Sequence, residues 1–266
     1  MELGRRRACA ALAMLVAGAR AGTAQLRTNA DVAFNSHFVW RGVTSTNRLV
    51  IQPEVLLSAP VRGVTVLAGV WGNIEPVRYD GARDLSSLGG LPGPLVTQSQ
   101  LWLELSGTIA GRLDATVGAQ GYFYPHVGDL SQWTTGEVYI SASAESFVSA
   151  DVNVAYDFAQ IRGTYVEGGL SRAITGERKG ELTLGVAAGY SAGQAEDPRG
   201  RDLAYFERDG LTHVDASATA TFNVGRVAFA PEAHVIFAHD SFAAITGPTD
   251  SRRTKLWLGT TLRWTN

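Results

Sequence analysis

The chain has 266 residues, of which 45% are hydrophobic and 18% are charged, and its formal net charge is −2. This length suits two small domains or one large all-β unit, and the net charge argues against a general nucleic-acid-binding protein. Beyond the N-terminal segment there is no run of about eighteen consecutive apolar residues, so no membrane-spanning helix is expected there.

Residues 1–24 are predicted to be a secretory signal peptide. A basic start, "MELGRRR", is followed by the short apolar stretch "ACAALAMLVAGARA" and by small residues at its exit. We expect cleavage after Ala24, with Ala21 as the second choice; the alternative is a buried N-terminal helix. Cys9, the only cysteine, would leave with this segment, so residues 25–266 would contain no thiol and no disulfide.

From residue 28 onward, apolar and polar residues alternate with a period of two, which is typical of β-strands. Glycine, proline and clusters of Asn, Asp and Ser separate the alternating segments. Pro53 and Pro231 fall inside two segments and predict bulges or strand ends there. Twelve strands are predicted, at 30–41, 48–59, 63–74, 96–107, 112–124, 134–145, 147–158, 163–173, 180–191, 211–223, 225–238 and 254–265.

The connections between these strands differ in length. Those after even-numbered strands are mostly short, such as "APVRG", "GTIAG", "ESF" and "FNVGR", whereas 75–95, 192–209 and 239–253 are long and follow odd-numbered strands. "GVTSTN" and "AQIRG" are exceptions. Long loops on one rim and short turns on the other are typical of outer-membrane barrels. We therefore expect the long loops outside the cell and both mature termini in the periplasm.

The two faces of each strand differ in polarity. In "LDATVGAQGYF", from Leu113 to Phe123, one face is apolar or glycine and the other is polar. The apolar faces of the strands at 147–158, 180–191 and 254–265 carry no charge, and a charge at the lipid-facing midplane costs about 2–4 kcal/mol. The predicted fold class is all-β, a transmembrane antiparallel up-and-down β-barrel of about twelve strands; a soluble β-sandwich is the alternative.

Aromatic residues on the apolar faces lie near strand ends. This distribution is typical of the two aromatic girdles of a membrane barrel, although aromatic residues also end strands in other proteins. Those toward the long-loop rim are Phe38, Trp40, Phe123, Tyr156, Phe158, Tyr190 and Phe237, and those toward the short-turn rim are Phe222 and Trp264.

Three stretches carry a family resemblance. They are "DVAFNSHFVWRGVTSTN", with an aromatic-x-aromatic-Arg-Gly end; "GVTVLAGVWGNIEP", with Gly-x-Trp-x-Asn; and "GAQGYFYPHV" followed by "TGEVYISAS", with Tyr-x-Tyr-Pro and Glu-x-Tyr. Together they resemble the TorF-type porins of proteobacteria, also called the Gcw_chp family. The resemblance covers the mature chain, most clearly 30–145, and implies an outer-membrane barrel with a pore. The ending "LRWTN" departs from the usual terminal aromatic residue of such barrels.

The polar faces supply the candidate pore lining, which is mostly acidic. An acidic lumen favours cations; alternatively, acids and bases pair across the lumen and hold the barrel shut. The pore-lining candidates are Arg41, Glu54, Glu104, Gln120, Tyr122, Tyr124, Glu137, Tyr139, Glu167, Asp215, Glu232, His234, Lys255 and Arg263.

Two groups of candidates have alternative roles. Arg41 is expected to pair with an acid such as Glu137 or Glu54 as a strut, or else to contact a solute carboxylate through its bidentate fork. Tyr122, Tyr124 and Tyr139 would pack in the lumen or form an aromatic path for a sugar-like or amphipathic solute.

The segment 211–238 predicts a hairpin with Val224 and Gly225 as its two-residue loop. That register places Asp215 opposite His234 and Ser217 opposite Glu232, all on the polar face. With His213 two residues from Asp215, this cluster is the best candidate for a metal site, a proton-dependent response or a general base; the simpler interpretation is a lumen ion pair.

The predicted function is an outer-membrane channel for passive diffusion of small solutes, with a weak cation preference. No catalytic residue, metal or cofactor is predicted. The expected partners are the lipid bilayer, the barrel-assembly machinery during insertion, and small solutes or ions. The alternatives are an outer-membrane hydrolase that uses the His/Asp cluster and a structural barrel without transport.

Overall fold

A computed structural model describes residues 25–76, 95–125, 134–175, 180–194, 206, 208–238 and 254–265. In these ranges no helix is long and apolar enough to cross a membrane. The described residues form fourteen strands: β1 (Arg27–Asn35), β2 (Phe38–Trp40), β3 (Val43–Thr46), β4 (Val50–Val61), β5 (Val64–Glu75), β6 (Leu95–Ile109), β7 (Leu113–Phe123), β8 (Thr135–Ala144), β9 (Ser149–Asp157), β10 (Thr164–Thr175), β11 (Gly180–Ala192), β12 (Gly210–Val224), β13 (Val227–Ala238) and β14 (Thr254–Thr265).

Twelve of these strands form one closed antiparallel barrel. From β4 to β14 each strand pairs with the next along the chain, and β1 closes the barrel between β14 and β4. Closure leaves no unpaired sheet edge, which is the condition for a sheet that spans a membrane. The predicted fold class and strand number are confirmed.

The outer surface of the barrel is apolar. Many large apolar side chains on the outward face are more than a third exposed, whereas Glu137 and Asp157 on the inward face are fully buried. The strand at 113–123 follows this rule, since Val117 is 54% exposed and Tyr122 is 2% exposed. The most exposed members of the outward band include Leu101, Val117, Ile140, Leu256 and Leu258.

The described turns lie at one rim of the barrel. They are the turns at 62–63, 110–112, 145–148 and 225–226, whereas β1, β5, β7, β9, β11 and β13 end at the opposite rim. The long connections predicted at 75–95, 192–209 and 239–253 lie mostly outside the described residues. Arg62 and Gly63 both have positive φ, 51° and 89°, as a two-residue hairpin turn of type I′ requires.

Neither proline produces the predicted bulge or strand end. Pro53 pairs with Val32 inside the β1–β4 ladder, and Pro231 pairs with Thr260 inside the β13–β14 ladder. In the ladder with the other neighbouring strand, which is β5 for Pro53 and β12 for Pro231, the proline has no Cα partner. The register of that ladder is the same before and after the proline. Because proline has no N–H to donate, the ladder is interrupted on one side and the strand still continues.

The predicted register of the β12–β13 hairpin is wrong by two residues. Val224 pairs with Val227, so the turn is Gly225–Arg226, and Asp215 pairs with Ile236 rather than with His234. Gly225 has a φ of 63°, so the glycine occupies the first turn position, where a positive φ is needed. A shift of two residues keeps every side chain on its face.

The first connection differs most from the prediction. β1 ends at Asn35 instead of continuing to residue 41, and β2 and β3 form a separate two-stranded sheet. Phe38 and Trp40 therefore do not belong to the outer girdle: Phe38 is only 6% exposed and both rings contact inward-facing side chains. The other predicted girdle residues lie on the outward faces of their strands, except that Phe158 directly follows the end of β9, where it is 54% exposed.

Candidate functional site in the barrel lumen

Residues 38–46, called the inserted hairpin below, fold into the barrel interior. Arg41 and Gly42 form the turn between β2 and β3, with φ values of 50° and 81°. At Gly42 a side chain would overlap Cβ of His213 on β12. The hairpin tip therefore lies against the inner wall, which leaves room only for a glycine there.

The Arg41 side chain binds Glu137 on β8. Nη1 donates to Oε1 at 2.8 Å and Nη2 donates to Oε2 at 2.7 Å, which is the bidentate geometry. The side chains of Arg41 and Glu137 are 7% and 0% exposed. Of the two acids predicted as partners of Arg41, Glu137 is the one that forms this ion pair; the role of the pair as a strut stays a prediction.

Glu137 receives further donors from β7. Gln120 Nε2 donates to Oε2 at 2.8 Å, and the Tyr122 hydroxyl donates to the same oxygen at 2.9 Å. Gln120 is the Cα partner of Glu137 in the β7–β8 ladder, so the register itself delivers this donor. A fully buried carboxylate with this many donors is well compensated for its loss of water.

The Arg41 guanidinium lies between two aromatic rings. Its carbon is 4.2 Å from the ring centroid of Trp40 and 4.2 Å from that of Tyr165 on β10. Such contacts add cation–π attraction to the ion pair. Val43, Ile161, Tyr165 and Phe206 form a buried apolar cluster beside the tip, and Trp40 packs against it.

The remaining hairpin contacts reach other parts of the wall. The Phe38 ring lies 5.5 Å from Trp71 of β5, and the Trp40 ring lies 6.0 Å from Tyr122 of β7. On β5, Glu75 accepts a hydrogen bond from Thr46 Oγ1 at 2.7 Å. On β14, Lys255 Nζ donates to the Gly42 carbonyl oxygen at 3.3 Å. The inserted hairpin thus touches β5, β7, β8, β10, β12 and β14.

A chain of side-chain amides joins four strands at this level of the barrel. Asn35 donates to Gln52 at 2.8 Å, Gln52 donates to Asn73 at 2.9 Å, and Asn73 donates to Thr97 at 2.8 Å. Asn73 is fully buried. These hydrogen bonds link β1, β4, β5 and β6, and the connections of the hairpin begin and end at the first two of these strands.

The motifs that carry the family resemblance converge on the inserted hairpin. The aromatic-x-aromatic-Arg-Gly motif is the hairpin strand with its turn, and Trp71 and Asn73 come from Gly-x-Trp-x-Asn. Tyr122 belongs to Tyr-x-Tyr-Pro and Glu137 to Glu-x-Tyr. Sequence reasoning placed these motifs on separate wall strands and missed that the first one fills the space between the others.

Below the hairpin, toward the short-turn rim, the lumen carries acidic side chains. Asp31 accepts a hydrogen bond from Arg263 Nε at 2.8 Å and is the Cα partner of Glu54. Glu104 accepts a hydrogen bond from the Tyr139 hydroxyl at 2.6 Å. Asp31, Glu104 and Arg263 all interact electrostatically with Glu54. Acids outnumber bases in this group of charges.

Two aromatic rings lie flat on the inner wall because the neighbouring strand has a glycine there. A side chain at Gly69 would overlap the indole of Trp102, and one at Gly118 would overlap the ring of Tyr139. Gly118 on β7 is the Cα partner of both Glu104 on β6 and Tyr139 on β8. The Tyr139 side chain therefore extends over Gly118 to reach Glu104. Tyr122 and Tyr124 are 2% and 5% exposed, which favours lumen packing over an aromatic path.

His234 and Asp215 meet despite the shifted register. His234 Nδ1 lies 2.7 Å from Asp215 Oδ2, and Nε2 lies 3.8 Å from Glu232 Oε2. The imidazole stacks on Trp257, with centroids 3.9 Å apart and an interplanar angle of 9°. Both ring nitrogens face carboxylates, which is the arrangement of an ion pair rather than of a base that waits for a nucleophile.

Within the described ranges, no group of three or more His, Cys, Asp or Glu side chains is placed to hold a metal ion. His213, the other predicted member of the cluster, instead contacts Thr212 Oγ1 at 3.1 Å and lies 3.8 Å from Glu167. Glu167 also accepts a hydrogen bond from the Tyr165 hydroxyl at 2.8 Å. The two histidines therefore belong to separate contacts.

The predicted pore-lining side chains all lie on the inward side, but not all of them on the wall. Arg41 belongs to the inserted hairpin, and the buried side chains of Glu137, Tyr122 and Lys255 contact this hairpin. Sequence reasoning missed Trp71 and Trp102 as lumen residues. Trp102 shares the face of Glu104, so strict alternation could have assigned it, whereas Trp71 lies in a stretch with apolar residues on both faces and required the strand pairings.

A comparison with protein-family models found no match, and a comparison with curated protein sequences found none either. Among solved structures, LpxR from Salmonella typhimurium is 9% identical with a TM-score of 0.51, over 89% of this chain and 99% of that one. A KdgM porin is 10% identical with a TM-score of 0.46, over 88% and 97%. The COG4313 outer membrane channel from Pseudomonas putida F1 is 10% identical with a TM-score of 0.46, over 90% and 95%.

At such low identities the likeness concerns the fold alone. The fold is that of a transmembrane antiparallel β-barrel with a polar lumen. The particular TorF-type family stays a prediction from the motifs.

Proposed function

We propose that this protein is a bacterial outer-membrane channel for small solutes, related to the TorF-type porins. The observation that carries the proposal is a closed barrel that is apolar outside and lined inside with charged and amide side chains. A polar inner wall suits a water-filled path, and the excess of acids near Glu54 is not needed for acid–base pairs that would only hold the barrel together.

The proposed location follows from the same features. Residues 1–24 would direct export and be removed, the barrel-assembly machinery would insert residues 25–266, and the exposed apolar band would face the lipid. Phe222 and Trp264 on the outward face are 46% and 37% exposed, and they suit the aromatic girdle at the short-turn rim.

The proposed selectivity is a weak preference for cations. Asp31, Glu54 and Glu104 lie close enough to interact, with Arg263 as the neighbouring base. A wall with excess negative charge and low-dielectric surroundings raises the local concentration of cations. Uncharged small solutes would pass by diffusion, without a cofactor or an energy source.

Reconstitution of the purified protein in planar bilayers tests the proposal. Discrete conductance steps, with a reversal potential displaced toward the cation equilibrium value in a salt gradient, are expected. A protein that is folded in detergent and inserted, but gives no conductance either as the full chain or with residues 39–45 replaced by a short turn, would contradict a channel function. That result would favour a structural barrel or an enzyme that uses the His234 cluster.

A further inference from the structure

The inserted hairpin is a structural unit of its own. β2 and β3 pair with each other as a separate sheet and take no part in the barrel ladder. The contacts that tie the hairpin to the wall, described above, run through side chains. The hairpin could therefore leave its seat without breaking any strand pairing of the barrel, since proteins can open locally in single structural units.

The hairpin also lies where it obstructs the lumen. It contacts strands around the circumference, from Trp71 of β5 through Glu137 of β8 to Lys255 of β14. Its tip packs beside the buried apolar cluster that includes Ile161 and Tyr165. Fully buried side chains at this level, such as Glu137, show that the packing excludes water from the hairpin seat.

We propose that the inserted hairpin is a displaceable plug, held in the lumen by the Arg41–Glu137 ion pair, and that its displacement opens the channel. This inference rests on the proposed function. The ion pair is the latch because Arg41 is at the hairpin tip, farthest from the connections at 36–37 and 47–49. The base is fixed to the wall, since Ser36 N donates to the Leu258 carbonyl at 2.8 Å and Leu258 N donates to Ser36 Oγ at 2.9 Å.

The latch is suited to a two-state segment. When it is closed, the Arg41 guanidinium has two carboxylate oxygens and two ring faces as partners. When it is open, both charges return to water, so the large desolvation cost of the pair is recovered. The closed state is favoured when the contacts of Arg41 outweigh the desolvation cost of the ion pair. A single substitution can reverse this balance.

Removal of the hairpin is the first test. Phe38 and Thr46 are Cα partners, so residues 39–45 can be replaced by an Asn-Gly turn that joins them. In planar bilayers we expect the shortened protein to carry a mean current several-fold above that of the full chain. Equal currents from the two proteins would overturn the plug while leaving the channel proposal intact. A silent shortened barrel would instead remove the channel function itself.

Weakening of the latch is the second test. In E137Q the carboxylate that binds Arg41 becomes a neutral amide, and we expect the open-state occupancy to rise at least about tenfold. The matched control is E145Q, in the exposed turn at 145–148, which should leave the occupancy unchanged. An unchanged occupancy in E137Q would overturn the latch.

A readout that does not depend on conductance separates plug motion from transport. Residues 25–266 contain no cysteine, and Val43 beside the tip is 5% exposed. V43C should react slowly with a water-soluble thiol reagent, and several-fold faster when E137Q is also present. Faster reaction with silent bilayers would show that the hairpin moves but the barrel is no channel. No change in rate would overturn the displaceable plug.

Discussion

Arg41 and Glu137 are 96 residues apart in the sequence and form a bidentate ion pair inside the barrel, with nitrogen–oxygen distances of 2.7 and 2.8 Å. The pair links a hairpin inside the lumen to β8 of the barrel wall. It is also the point at which three short sequence motifs meet. The alternation of residues along the strands does not by itself reveal this contact.

The first prediction concerns the stability of this pair. Loss of one partner from a buried ion pair leaves an uncompensated charge, at a cost of about 3–5 kcal/mol. Arg41→Gln should therefore lower the free energy of unfolding strongly, whereas Arg41→Gln with Glu137→Gln together should cost less than the sum of the single changes. Urea unfolding in detergent, with tryptophan fluorescence as the signal, measures this double-mutant cycle; strict additivity would refute a direct interaction.

The second prediction concerns the glycine under Tyr139. Gly118→Ala should push the Tyr139 ring away and break its hydrogen bond to Glu104, at a cost of about 1–3 kcal/mol. Gly107→Ala is the control, because its nearest neighbour is a Val64 methyl group at an ordinary 3.6 Å. Thermal unfolding followed by circular dichroism compares the two. Equal melting temperatures would show that the ring is not held against the glycine.

The third prediction concerns ion selectivity. Neutralisation of the lumen acids by Glu54→Gln and Glu104→Gln should weaken the cation preference and move the reversal potential in a salt gradient toward zero. The change should be largest at low ionic strength, because the Debye length falls from about 30 Å at 0.01 M salt to about 3 Å at 1 M. Glu145→Gln, outside the lumen, is the matched control. A reversal potential that indicates anion preference in the unmodified protein would contradict the proposal.

The fourth prediction concerns orientation in the membrane. Peptide tags inserted within 75–95, 192–209 or 239–253 should bind antibody on intact cells, because the strands that flank these segments end at the long-loop rim. A tag at 60–62, at the opposite rim, should bind only after the outer membrane is permeabilised. The reverse pattern of labelling would invert the topology.

The fifth prediction concerns His234. If its contacts with Asp215 and Glu232 are an ion pair of the wall, His234→Gln should leave conductance near neutral pH almost unchanged. The amide still fits beside Trp257 and still offers a donor to Asp215. Metal analysis of the purified protein should find the same content before and after the change. Loss of bound metal or of a hydrolytic activity in the variant would favour an enzyme instead.

The sequence by itself determined the barrel. A period of two fixes which residues share a face, and the high cost of charge in lipid then decides which face is outside, so Leu113, Val117 and Phe123 could be assigned without coordinates. The number of strands followed from the turn residues. The polar lumen followed by exclusion, because residues such as Glu104 and Glu137 had no other side to occupy.

The tertiary structure alone decided where 38–46 lies. Phe38 and Trp40 continue the alternation of β1, and a ring buried in the lumen and a ring exposed to lipid are equally apolar, so the local pattern could not separate the two. The same limit applies to register. A slip of two residues preserves every face, so Asp215 and His234 were placed opposite each other when they are in fact diagonal neighbours. Which acid binds Arg41 depended on reach across the lumen, and only the closed barrel sets that distance.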